Sequence, residues 1–113
     1  MKNIKTIADF EELLSLDKVI IFIFFEWSGQ AHVSRKIFMD WEKQTKFAIP
    51  LYEIEPEDSE NFSKWVYEEN NIHGHGYGSL VWLNKGKIIH FEQYAAKLGI
   101  AEIERKTAEL FLH

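Results

Sequence analysis

The longest unbroken run of apolar residues in the chain is residues 19–25, which read Val-Ile-Ile-Phe-Ile-Phe-Phe. Seven residues are too few to cross a bilayer. Their β-branched and aromatic side chains favour a strand that is buried on both faces. The run stops at Trp27, Ser28 and Gly29, where a helical pattern begins. It therefore predicts a strand-to-helix corner, the place where α/β folds carry their chemistry.

Four other stretches place apolar residues at helical spacing. The first covers about residues 7–16 and is preceded by Thr6, a residue typical of helix caps. The second follows the corner to about residue 46, the third starts at residues 56–59 with Asp58 or Ser59 as its cap, and the last starts near residue 100. Their predicted buried positions are Ile7, Phe10, Leu13 and Leu14; Val33, Ile37, Phe38 and Trp41; Phe62, Trp65 and Val66; and Ile103, Leu110 and Phe111.

Strands are predicted at residues 3–5, 19–25, 47–55, 80–83 and 87–94. Pro50 has no amide hydrogen, so it is expected at the start of its strand or on an unpaired edge. Asn84, Lys85 and Gly86 indicate a hairpin between the last two strands. The order β-α-β-α-β-α-β-β-α predicts an α/β fold whose central mixed sheet has helices on both faces, in one domain spanning residues 1–113.

This order and several local sequences resemble thioredoxins over nearly the whole chain. The matching segments are Phe-Phe-Glu-Trp at residues 24–27, Ser-Gly-Gln-Ala at 28–31, Asn-Ile-His-Gly at 71–74 and Leu-Val-Trp-Leu-Asn-Lys-Gly at 80–86. On these motifs the chain is identified as a member of the thioredoxin-like superfamily, and the resemblance implies the thioredoxin fold.

The resemblance also shows which reactive groups are absent. Ser28 stands where thioredoxins have the nucleophilic cysteine, and Ala31 stands where they have the resolving cysteine. Phe22 matches the buried aspartate and Gly78 matches the cis-proline. A thiolate is the nucleophile of disulfide exchange, and the chain contains no cysteine, so dithiol oxidoreductase activity is excluded for it. The corner is a degenerate active site that consists of Trp27, Ser28, Gly29, Gln30 and Ala31.

Other chemistries at the corner are weaker hypotheses. Ser28, His32 and Glu26 suggest a hydrolase, but serine is also a good helix cap, and that interpretation is preferred. A metal site is a second alternative, because imidazoles bind zinc, copper and nickel. Its candidate ligands are His32, His73 and His75, although a His-x-His pattern alone is a weak signal.

A further alternative is a redox enzyme in which Ser28 or Ala31 has replaced a natural cysteine. The exchanges at Phe22 and Gly78 argue that the loss is natural, because they remove the proton relay and the proline as well.

Composition limits the classes of partner that the chain is expected to bind. The formal net charge is -5, and the chain has no cluster of Lys and Arg for nucleic acid or an anionic membrane. The acidic residues between positions 53 and 60 are expected to form a solvated face, and the N-terminal segment lacks an apolar signal core, which favours a cytoplasmic location. No cofactor is expected, and the chain is predicted to be a monomer or weak homodimer.

The favoured function is therefore non-catalytic recognition. The resemblance implies a groove between the corner and the glycine-containing loop of residues 72–79, where thioredoxins receive an extended peptide. Cysteine-less domains of this type serve as binding modules in protein disulfide isomerases, phosducin-like proteins and hydrogenase maturation chaperones. A protein or peptide partner is predicted, and its candidate surface is Trp27, Ser28, His32, His73, His75, Tyr77 and Gly78.

Overall fold

A five-stranded mixed sheet forms the centre of the molecule, in a computed structural model that describes residues 1–112. Its strands are β1 (Lys2–Asn3), β2 (Lys18–Ile23), β3 (Leu51–Ile54), β4 (Ser79–Asn84) and β5 (Lys87–Glu92), in the spatial order β1-β3-β2-β4-β5. β1, β3 and β2 run parallel, whereas β4 is antiparallel to both β2 and β5. The predicted mixed α/β sheet is therefore confirmed.

β2 is the central strand because it pairs on both sides. Phe22 lies opposite Glu53 of β3 and Leu80 of β4. The strand ends at Ile23, two residues earlier than predicted, although Phe24 and Phe25 remain buried. The Phe24 amide still donates to the Ile54 carbonyl at 2.9 Å, so the chain stays beside β3 until it turns towards the corner.

The helices are α1 (Ile7–Leu14), α2 (Gly29–Gln44), α3 (Glu60–Ser63), α4 (Ala95–Leu98) and α5 (Ile100–Phe111). A 3₁₀ turn, Pro56–Asp58, precedes α3, and a π-helix, Lys64–Glu69, continues from it. Thr6 caps α1 as predicted, because its Oγ1 accepts from the Asp9 amide at 3.1 Å; of the two candidate caps for the third helix, Ser59 is the cap, and its Oγ accepts from the Asn61 amide at 3.2 Å. α4 was not predicted.

One prediction about α2 is wrong. Val33 was expected on its buried stripe, but its side chain is 54% exposed. Ser34 faces the interior instead, where its hydroxyl donates to the Tyr77 carbonyl at 2.8 Å and accepts from the Ala96 amide at 3.1 Å. These two bonds satisfy a buried hydroxyl and so allow a polar residue to occupy the packed face. The buried positions of α2 are Ala31, Ser34, Phe38 and Trp41.

The prediction of a solvated acidic face is also wrong for Glu53, the first acidic residue of that segment. Glu53 lies on β3 and its side chain is only 3% exposed. Its two carboxylate oxygens accept from Asn3 Nδ2 at 2.7 Å and from Arg35 Nε at 2.6 Å. A buried carboxylate is tolerated because both oxygens have charged or polar donors.

Aromatic rings connect the sheet to α2 and α5. Phe22 stacks on Phe38, which stacks on Trp41, with ring centroids 5.9 and 5.5 Å apart. The Trp41 indole donates to Glu104 at 2.9 Å, and the Trp82 indole donates to Thr107 at 3.1 Å. Trp41, Trp82 and Trp65 are buried, as the sequence predicts.

The predicted hairpin is present between β4 and β5. Lys85 and Gly86 form a two-residue turn with φ values of 51° and 79°, and two positive φ angles are the mark of a type I′ turn. β3 begins at Leu51, four residues later than predicted, so Pro50 lies just before the strand and not within it. No helix within residues 1–112 combines the length and the apolar composition that crossing a membrane requires.

Candidate functional site

Ser28 closes the corner between β2 and α2 rather than presenting a reactive group. Its Oγ accepts from the Ala31 amide at 3.2 Å, as a helix cap does, and donates to the Gly76 carbonyl at 2.5 Å. The residue is 5% exposed. Because its proton is given to Gly76 and its lone pair to Ala31, the hydroxyl joins the corner to the loop and is withdrawn from solvent.

His32 does not pair with Ser28. Its Nε2 donates to the Glu26 backbone carbonyl at 2.8 Å, and its ring meets Phe24 edge-on with centroids 4.9 Å apart. A hydrolase requires the imidazole to accept the serine proton, and here both partners are engaged elsewhere. The geometry gives the Ser28–His32 hydrolase hypothesis no support.

The loop of residues 72–78 is packed against the corner. Its glycines are buried and alternate with the exposed His73 and His75. A Cβ on Gly76 would lie 2.7 Å from Trp27 Cη2, and a Cβ on Gly78 would lie 3.1 Å from Ala31 Cα. The glycines therefore permit close approach of the loop to the corner.

Gly78 differs from the cis-proline that it matches in the resemblance. Its φ is +88°, which a proline ring cannot adopt, and residues 1–112 contain no cis peptide bond. Its carbonyl accepts from the Ala95 amide at 2.9 Å and so ties the loop to the start of α4. Gly78 is thus a structural position beneath the predicted surface.

Trp27 is the most exposed large apolar side chain in residues 1–112, at 67%. Its ring leans on Phe25 with centroids 5.6 Å apart, and the backbone of Gly76 lies against its six-membered ring. Its Nε1 donates to the Glu57 carboxylate. The indole is therefore held in one orientation while most of its area faces solvent.

Trp27 borders two shallow depressions. One, called the Trp27 surface below, is lined by Phe25, Trp27, Tyr67, His73, His75 and Gly76. The other brings Trp27 beside four carboxylates, called the acidic border: Glu26, Glu55, Glu57 and Asp58. The first is mainly aromatic and the second is acidic, so Trp27 stands at the junction of two chemically different surfaces.

The predicted metal ligands do not form a three-histidine group. His73 and His75 line the Trp27 surface, whereas His32 lines a separate depression on α2. His73 Nε2 bonds the Asn71 amide oxygen at 2.9 Å, and its ring stacks on Tyr67 with centroids 5.9 Å apart. Across residues 1–112 no set of three His, Cys, Asp or Glu side chains is placed to hold a metal ion.

Tyr77 is only half-exposed, because its ring stacks on Tyr94 with centroids 4.9 Å apart at 20°. Tyr94 immediately precedes α4 and was not among the predicted site residues. The pair extends the aromatic character of the loop, while Tyr77 itself lines neither depression beside Trp27.

Two ionisable groups at the site have displaced pKa values. Burial raises the pKa of Glu55, and the neighbouring charges of Asp58, Glu26 and Glu53 raise it further, against an opposing effect of Lys5. Burial also raises the pKa of the Tyr67 hydroxyl, with a second contribution from the charge of Glu57. Both pKa values are thus raised first by burial and second by neighbouring negative charge.

Residues of the site that the sequence did not indicate include Phe25, Tyr67 and Glu57. Phe25 was assigned to the buried strand, and Glu57 was one of several acidic residues with no feature to separate it from its neighbours. Tyr67 lies at a helical position next to the buried Val66. Only the fold shows that the π-helix turns its ring towards the loop.

No protein-family model matches the chain, and no curated protein matches it in sequence. Solved structures match it in fold. The oxidised thioredoxin of Plasmodium falciparum has a TM-score of 0.76 at 16% identity, with 96% of this chain and 98% of that chain covered. A thioredoxin of Trypanosoma brucei brucei has a TM-score of 0.75 at 10% identity, with 98% and 90% covered.

The reduced thioredoxin of Schistosoma mansoni gives a similar result, with a TM-score of 0.71 at 16% identity and coverage of 95% and 94%. Identities this low establish the fold and nothing about the site. The chain thus has the thioredoxin fold over nearly its full length. It also has no cysteine, and this excludes the dithiol chemistry that thiolates perform.

Proposed function

We propose that this cysteine-free chain with the thioredoxin fold is a binding module that receives an extended segment of a protein or peptide on the Trp27 surface. The single observation that carries the proposal is the state of Trp27, an indole that is 67% exposed yet held in place by Glu57, Phe25 and Gly76. Large aromatic side chains of this kind anchor protein interfaces. A fixed ring also loses little side-chain freedom when a partner covers it.

The composition of the surface supports this use. The partly exposed Tyr67 adds apolar area beside Trp27, the buried Phe25 supports the indole, and His73 and His75 add polar groups at the rim. Interfaces combine an aromatic centre with such a polar border. Three other predicted contact residues have different roles: Ser28 bonds the loop to the corner, Gly78 is buried in the loop, and His32 lines a separate depression.

A selection experiment tests the proposal. Peptides enriched from a random displayed library on the parent chain are expected to lose binding to Trp27→Ala and to keep it on Val33→Ala. Val33 is the matched control because it is also a strongly exposed apolar residue, but it lies on α2 outside both depressions. Both variants remove exposed side chains and are expected to stay folded, which circular dichroism verifies.

Selected peptides that bind the parent and Trp27→Ala with equal affinity would show that the Trp27 surface is not the binding surface. A library that yields no specific peptide would remove the support for a peptide-binding role.

A further inference from the structure

We infer that the partner segment carries an arginine, and that its guanidinium stacks on the Trp27 indole beside the carboxylate of Glu57. The inference rests on the proposed function, since it names the chemistry of the segment that the Trp27 surface receives. Its basis is charge complementarity between a cation and the acidic border, which lies beside the exposed Trp27 ring.

The acidic border defines the charge that the partner must carry. Glu26, Glu57 and Asp58 are exposed, and Glu55 is partly exposed, all beside the same indole. Of the ion pairs formed within residues 1–112, one involves a carboxylate of the acidic border: Lys5 Nζ lies 3.5 Å from Asp58 Oδ2. A cationic segment finds here a local excess of negative charge on a chain whose formal net charge is -5.

The orientation of Trp27 makes its ring available to such a cation. Its only polar atom, Nε1, already donates to Glu57. That bond holds a carboxylate at the edge of the ring, so a cation placed on the exposed ring area also lies near a negative charge. Tryptophan is the aromatic side chain that attracts cations most strongly through the negative face of its π system.

Arginine satisfies this geometry better than lysine. The guanidinium is planar, so it can stack on the indole while its edge donates hydrogen bonds to a carboxylate. A lysine ammonium is a compact, strongly hydrated point charge and gains less from a flat aromatic neighbour. Burial is the main cause of the raised pKa of Glu55, and repulsion from Asp58, Glu26 and Glu53 adds to it; a bound cation would relieve that repulsion.

The probe is a fluorescein-labelled Gly-Ser-Arg-Gly-Arg-Ser-Gly peptide, titrated with the chain and followed by anisotropy at about pH 7.5, where histidine is largely neutral. The matched peptide has citrulline in place of both arginines, which keeps the shape and removes the charge. The citrulline peptide is expected to bind about tenfold more weakly or worse, and a lysine peptide about threefold more weakly.

Three variants locate the contact. Trp27→Leu removes the π system, and Glu57→Gln removes the charge while keeping an oxygen that accepts from Trp27 Nε1. Each is expected to weaken the arginine peptide about threefold to tenfold. Glu109→Gln is the charge-matched control, because it removes an exposed carboxylate from α5, and it should leave the affinity within about twofold of the parent value.

Each other result overturns the inference in a way that separates it from the proposed function. A citrulline peptide that binds as tightly as the arginine peptide, with both lost in Trp27→Leu, overturns the cation and retains the peptide surface. Arginine binding that is equal in the parent, Trp27→Leu and Glu57→Gln is general attraction to an acidic chain and overturns the assigned contact. A lysine peptide that binds with the same affinity as the arginine peptide overturns the assignment of a guanidinium as the recognised group. If neither these peptides nor the displayed library bind, both proposals fall.

Discussion

Gly78 is the residue on which the junction of loop and corner depends. Its φ of +88° is open to glycine and costly for other residues. A Cβ at this position would also lie 2.6 Å from Ser34 Cβ and 3.1 Å from both Ala31 Cα and Phe22 Cζ. The absence of a side chain allows the loop, α2 and β2 to meet in one place.

Gly78→Ala is therefore expected to destabilise the fold by about 2–4 kcal/mol, the sum of backbone strain and overpacking. Urea denaturation followed by circular dichroism measures the change. Gly29→Ala is the matched control, since Gly29 begins α2 and a Cβ there meets nothing within 4 Å. The control should stay within about 1 kcal/mol of the parent, and equal stability of the two variants would contradict the close packing at Gly78.

At the scale of elements, the buried carboxylate of Glu53 joins three of them. Glu53 lies on β3, Asn3 lies on β1 and Arg35 lies on α2, and both donors meet the same carboxylate. The Arg35 guanidinium also lies over the Phe24 ring at 5.5 Å. The edge strand β1 is only two residues long, so this side-chain network supplements a short backbone ladder.

Arg35→Met leaves the Glu53 carboxylate buried with a single donor, and we expect a loss of about 1–3 kcal/mol in the free energy of unfolding. The value is below that of a fully buried pair because the Arg35 side chain is 40% exposed. Lys36→Met, which breaks the neighbouring exposed pair with Asp40, should cost less than about 0.5 kcal/mol. Equal losses in the two variants would show that the burial of Glu53 adds nothing.

At the scale of the whole molecule, the chain gathers negative charge where several segments meet. The carboxylates around Glu55 come from the corner, from β3 and from the turn that precedes α3. Because the pKa of Glu55 is raised above its ordinary 4.5, the folded state binds its proton more tightly than the unfolded state does. The contribution of Glu55 to stability therefore falls as the pH rises through the pKa that Glu55 has in the unfolded state and then through its raised pKa in the folded state.

Glu55→Gln removes that charge, so the stability of the variant relative to the parent should increase as the pH rises from about 4 to about 7. Urea denaturation at several pH values measures it. Glu102→Gln provides a control of opposite sign, because the hydrogen bond and charge of Arg105 lower the pKa of Glu102. That variant should lose stability relative to the parent over the same pH increase, and parallel slopes for the two variants would contradict the assignment.

The sequence by itself determined the order of the five strands and of every α-helix except α4. The apolar run of β2, the Thr6 and Ser59 caps and the Lys85–Gly86 hairpin are local features, written in residue spacing and backbone preference, and each is present. The absence of cysteine excludes dithiol exchange without any coordinates.

Tertiary structure decided which side chains are exposed and which meet. Glu53 was expected in solvent but is buried, because Asn3 and Arg35, both distant in the sequence, donate to its carboxylate. Val33 was expected to be buried but is exposed, because Ser34 occupies the inner face of α2. The corner shows the same dependence. Its sequence has the form of an active site, but contacts with Gly76 and Glu57 turn Ser28 inward and hold Trp27 outward, since those contacts exist only when the loop and the 3₁₀ turn fold against it.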